Sequence, residues 1–129
     1  MREIKNVIMI VHGTHRSQES YYRSVYSSLN FAKTMPQDIL ILSPQFLIPE
    51  DFPKSGNLFW NTKDDWKTGK LSTHKFSMRI NSFEIIDKLI NVLLVICPNM
   101  KRLKLIGHDS GFFFFFLFFF FLTLKNFFI

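Results

Sequence analysis

A chain of 129 residues with 47% hydrophobic content is large enough for one domain with a packed core. Its formal charge of +6 comes from 16 basic residues that are scattered, the densest cluster being Lys101, Arg102 and Lys104. No Lys/Arg stripe interleaves with stacking aromatics, so no nucleic-acid partner is expected. Cys97 is the single cysteine, which excludes an internal disulfide and a cysteine-based metal cage; neither a metal nor a cofactor is expected.

The first element is Val7-Ile-Met-Ile-Val11. This run is too short for a secretory signal and lacks a small-residue cleavage site, so a cytoplasmic location is expected. Its continuous β-branched and apolar character reads as a strand buried on both faces, which implies a parallel sheet, and it ends at His12-Gly13. Ser17 is placed to cap a helix over about 18–34. Tyr22, Val25, Tyr26, Leu29 and Ala32 recur there at helical spacing, while Tyr21, Arg23, Ser24 and Lys33 point elsewhere, and Pro36 stops the helix.

Asp38-Ile-Leu-Ile-Leu-Ser43 repeats the buried-strand pattern. Pro44, Pro49, Pro53 and Gly56 then break up a long loop that reaches about Arg79. Loops of this length are uncommon unless functional, and this one carries Trp60 and Trp66, candidates to line a substrate cleft. The alternative is a loop that folds its own aromatics onto the core. A second helix over 82–96 places Phe83, Ile86, Leu89, Ile90, Leu93 and Leu94 on one broad face, with Pro98 and Asn99 ending it and Cys97 expected to be a buried thiol. A third buried strand follows at 102–106. The order strand, helix, strand, helix, strand predicts an α/β fold of three parallel strands with flanking helices and right-handed crossovers.

After the third strand comes Gly107-His108-Asp109-Ser110-Gly111. Glycine at the first and last positions of such a turn lets a central residue stand on a sharp strand-to-helix bend. Together with His12-Gly13 after the first strand, this pattern resembles the α/β-hydrolase fold, in an esterase-like branch, over about 7–111. The resemblance implies Asp109 at the nucleophile position, and an oxyanion hole made by the backbone N–H groups of Thr14 and Ser110. It makes His12, Gly13, Gly107, His108 and Gly111 turn-forming residues. A nucleotide-binding unit fits less well, because His12-Gly13 lacks the later glycines and 107–111 lacks a basic residue.

The sequence departs from that branch at three points. Its central turn residue is serine, whereas an aspartate there is similar to epoxide hydrolases and haloalkane dehalogenases, whose carboxylate attacks a saturated carbon and forms an ester that water then opens. Those enzymes usually follow the aspartate with tryptophan, and here Ser110 follows. The family's acid and base come from later strands, and of this chain's histidines only His15 and His74 stand outside the two turns. Finally, Phe112 stands where the family has a small residue, and its bulk is expected to crowd the next helix against the turn.

Eleven of the 17 phenylalanines lie in 112–129, and 112–122 is an unbroken apolar run. A spanning helix needs about 20 apolar residues, so membrane association through this tail is an alternative rather than the first expectation. Homopolymeric Phe is what a thymine-rich tract yields when translated, as at a retained intron or shifted frame. An aromatic run without charged gatekeepers, beside a sheet with two open edges, predicts self-association or aggregation. The expected organisation is therefore a truncated α/β-hydrolase-like domain at 1–111 and a hydrophobic tail at 112–129. The expected function is a catalytically incomplete relative of an esterase-type hydrolase acting on a small-molecule substrate. The alternatives are an Asp-nucleophile hydrolase and a non-catalytic, membrane-attached binding protein.

Overall fold

The computed structural model describes residues 3–32, 37–73 and 79–127, with the side chains of the last helix described as far as Phe119. Three strands, β1 (Asn6–Val11), β2 (Ile39–Leu42) and β3 (Arg102–Gly107), pair in parallel in one open sheet of order β2-β1-β3. The helices are α1 (Gln18–Phe31), α2 (Ser82–Ile96) and α3 (Ser110–Phe127). The α/β class and the three parallel strands expected from the apolar runs are both present.

The strand order follows from side-chain chemistry. β1 is apolar on both faces, and Val7 to Val11 are all buried, so it takes the centre. β3 differs from the fully buried strand expected of it. Arg102, Lys104 and Ile106 are exposed while Leu103 and Leu105 turn inward, the alternation of a strand covered on one face. The register pairs Val7 with Leu40 and Leu103, and Met9 with Leu42 and Leu105, so one face of the sheet is continuously apolar.

That face carries the core. Val7, Met9 and Val11 pack with Phe46, Trp60 and Trp66 from the long loop, with Ile86, Leu93 and Cys97 of the α2 region, and with Phe114, Phe115 and Phe118 of α3. Asn81 caps α2 by accepting a hydrogen bond from the Glu84 N–H at 2.8 Å. On the α2 face, Ile86 and Leu93 are buried as the periodicity predicts, but Leu94 is 57% exposed, because the apolar stripe is wider than the surface that receives it.

α1 behaves differently. It lies against β1 and β2, on the side of Ile8 and Ile10, yet none of its residues is buried. Of the apolar face expected from Tyr22, Val25, Tyr26, Leu29 and Ala32, only Val25 and Leu29 are half-buried, in line with Tyr21, which the helical spacing directs elsewhere. Tyr22 and Tyr26 are exposed and stack on each other, and Ala32 is exposed. Ser17 occupies the cap position but makes no side-chain capping bond.

Packing does not stop at Gly111. Phe114 is fully buried, with Phe115 and Phe118 nearly so, and they complete the core as the first turns of a helix. Phe112 does not crowd the turn: it points away and is 67% exposed. Among the described residues no helix is long and apolar enough to cross a membrane.

Candidate active site

Val11 and Gly107 are the last pair of the β1–β3 register, so the two turns predicted from sequence leave the sheet side by side. In open α/β sheets, ligands bind beyond the carboxyl ends of the strands, where the strand order reverses. The reversal here falls between β1 and β3.

Asp109 has φ +51°, a left-handed conformation uncommon for a side-chain-bearing residue. Its flanking glycines explain how the bend closes. A Cβ on Gly107 would lie 2.2 Å from the Gly111 carbonyl carbon, and one on Gly111 would lie 2.3 Å from the Val11 oxygen. Backbone meets backbone at both places, so no side-chain movement could make room. Ser110 then opens α3, and the Phe113 N–H donates to the Asp109 oxygen at 3.1 Å.

The carboxylate of Asp109 turns toward Thr14. The Thr14 hydroxyl donates to Asp109 Oδ2 at 2.9 Å, and the Ser110 hydroxyl lies 2.5 Å from the Thr14 hydroxyl and 3.5 Å from Oδ2. The Thr14 hydroxyl, then the backbone N–H groups of Ser110 and Thr14, hold the Asp109 carboxyl below the usual carboxylate range. Thr14 and Ser110, the two residues expected to supply oxyanion amides, thus meet beside the Asp109 carboxylate through their hydroxyls.

His12 is fully buried beneath this turn. Its Nδ1 lies 3.0 Å from the Gly13 carbonyl oxygen, which can only accept, and its Nε2 accepts the Phe46 N–H at 3.0 Å. Both ring nitrogens are committed, with the proton on Nδ1. Burial pushes its pKa down, so it is neutral and serves the turn rather than taking protons from water. Its ring packs edge-on against Trp66 at 4.8 Å, and Phe46 stacks on Trp66 at 5.0 Å.

The tryptophans are therefore floor, not cleft lining. Trp66 is 0% and Trp60 2% exposed, and the Trp60 indole donates to the Lys70 oxygen at 2.9 Å. The long loop folds its aromatics onto the core because that burial removes its largest apolar surfaces from water. Arg16, also left-handed at φ +55°, ion-pairs with Asp51, whose Oδ2 accepts the Ile48 N–H at 2.9 Å. This pair ties the turn after β1 to the loop after β2.

His108 is exposed, and its Nδ1 lies 3.0 Å from the Tyr21 hydroxyl. Tyr21, which the helical spacing places away from the apolar face, thereby reaches the turn. A Cβ on Gly13 would lie 3.1 Å from that hydroxyl, so the helix approaches the β1 turn closely. His15 is exposed on the loop after β1, and His74 lies outside the described residues. No group of three or more His, Cys, Asp or Glu able to hold a metal ion occurs among the described residues. The sequence points to the Thr14 amide but not to its hydroxyl, nor to Tyr21; nothing local in either stretch marks a contact across 95 or 87 residues.

No protein-family model, curated protein or solved structure matches this chain.

Proposed function

We propose that this chain carries the nucleophile-bearing part of an α/β-hydrolase-like fold, and that Asp109 is a carboxylate nucleophile toward saturated carbon. The observation that carries this reading is the Asp109 carboxylate held by the Thr14 hydroxyl at 2.9 Å, at the apex of a glycine-framed turn with positive φ. For ester cleavage by the esterase-like route, the Thr14 and Ser110 amides would have to receive the carbonyl oxygen of the substrate. A turn that presents an aspartate at the nucleophile position, held at Oδ2 by the Thr14 hydroxyl, favours alkyl over acyl chemistry. With an alkyl halide, a carboxylate oxygen of Asp109 bonds to the carbon as the carbon–halogen bond breaks and the halide leaves with its electron pair. Opening the resulting ester needs a base to activate water. His12 has both ring nitrogens committed and does not supply that base, so we propose that the reaction of this chain rests at the alkyl-enzyme ester.

The test is incubation of the full chain with a short primary alkyl bromide. One alkyl group on Asp109 by peptide mass mapping, matched by one bromide released per chain without turnover, is the expected result. Asp109→Asn should abolish both. Labelling spread over surface histidines, or aryl-ester hydrolysis that survives Asp109→Asn, would falsify the assignment.

A further inference from the structure

We infer that the Thr14 side chain is the positioning residue of this site: its hydroxyl fixes Asp109 Oδ2 and leaves Oδ1 as the attacking oxygen. The inference rests on the carboxylate-nucleophile reading for its chemical meaning, though the clamp itself is a matter of geometry. The turn residues lie at the ends of two different strands, and the Thr14 hydroxyl joins them across the gap, 2.9 Å from Oδ2 and 2.5 Å from the Ser110 hydroxyl.

The direction of the hydrogen bonds follows from the acceptor. An ionised carboxylate can only accept, so Thr14 gives its single proton to Oδ2, and Ser110 must then give its own to the Thr14 oxygen. Each bond in such a chain polarises the next, and a charge-assisted end strengthens the whole. Ser110 is buried and cannot turn to water, so its proton is held in the chain. With Oδ2 taking the hydroxyl donor, attack falls to the other oxygen. Held in this way, the carboxylate stays ionised and oriented on an otherwise exposed turn.

The arrangement predicts an unequal response to substitution. Thr14→Val keeps the shape and removes the donor; Ser110, already 3.5 Å from Oδ2, can partly take its place. Thr14→Val combined with Ser110→Ala removes both. Thr14→Ser restores the hydroxyl. The readout is the pH dependence of Asp109, followed in the full chain by carboxyl-carbon NMR and by the alkylation rate. The double variant should lose about half its rate by about pH 4, as an ordinary aspartate does, whereas the wild type and Thr14→Ser should hold their rates to lower pH. Thr14→Val should fall between them. A purely structural role for Thr14 would change the unfolding midpoint without moving the titration. An Asp109 titration that is the same in the double variant and the wild type overturns the clamp. If the titration moves but no alkylation occurs in any variant, the clamp stands and the nucleophile reading fails.

Discussion

The two faces of the sheet are built to different standards. One receives Val7, Met9 and Val11 with the loop aromatics, α2 and three phenylalanines of α3, while the other has Ile8 and Ile10 beneath a helix that buries none of its own residues. The candidate site stands at the end of the well-packed face: His12 is wedged on Trp66, and Gly111 rests against the β1 backbone. The turn geometry is thus supported from below by aromatic packing, while the helix that follows β1 reaches it from the side through the Tyr21 hydroxyl. The same contrast separates α3 into a buried and an exposed side, since Phe114 and Phe118 face the core while Phe112, Phe116 and Phe119 face outward.

The largest effect should come from the floor. Trp66→Ala is expected to cost about 3–5 kcal/mol in denaturant unfolding followed by circular dichroism, enough to unfold a marginal domain. Trp66→Phe should cost far less, because the buried indole Nε1 has no hydrogen-bond partner among the described residues. Phe116→Ser, on the outward side of α3, should instead stay within about 0.5 kcal/mol and reduce self-association on size exclusion. Equal losses from Trp66→Ala and Phe116→Ser would erase the distinction between the faces.

Next in size is the turn. Gly111→Ala forces a Cβ to within 2.3 Å of the Val11 oxygen and 2.8 Å of the His12 oxygen. An overpacking loss of about 1–3 kcal/mol is expected, with the alkylation of Asp109 falling in parallel. Gly56, by contrast, has positive φ, but a methyl group there would meet nothing within 4 Å, so Gly56→Ala should cost only about 1 kcal/mol of backbone strain.

A smaller effect is tied to pH. Burial holds the His12 pKa below its ordinary 6.5, so the unfolded chain takes up that proton at a higher pH than the folded chain. The stability due to neutral His12 is complete above about 6.5, falls as the solution is acidified, and stops falling once pH passes below the folded value. Thermal midpoints measured from about pH 7.5 downward should decline more steeply in the wild type than in His12→Gln, although the variant is less stable overall.

The smallest effect belongs to α1. Arg23 pairs with Glu19 at 2.5 Å on a surface where both side chains are more than half exposed. Arg23→Ala should therefore change stability by less than about 0.5 kcal/mol, and the change should vanish in high salt.

Much of this framework is legible in the sequence because it depends on local pattern. The apolar runs of β1 and β2, the α2 stripe from Phe83 to Leu93 and the glycines at 107 and 111 all announce themselves within a few residues. The one-sided character of β3 is also written there, in the alternation of Arg102, Lys104 and Ile106 with Leu103 and Leu105, although the order of elements alone suggests a strand buried throughout. The role of the tail is not legible in the same way. A phenylalanine run has no periodicity to show which residues face inward, and only the docking of α3 on β3 and the Trp66 turn separates Phe114 from Phe112.

Local sequence is enough to specify the α/β class, the order of elements and the place of Asp109 between two glycines, because these rest on backbone sterics and on the spacing of apolar residues. Folding in three dimensions was needed to make Trp60 and Trp66 floor rather than cleft, and His12 a committed, neutral support. It alone joined Thr14 to Asp109. Those outcomes depend on which surfaces meet across long stretches of chain, and burial and hydrogen-bond competition are settled only there.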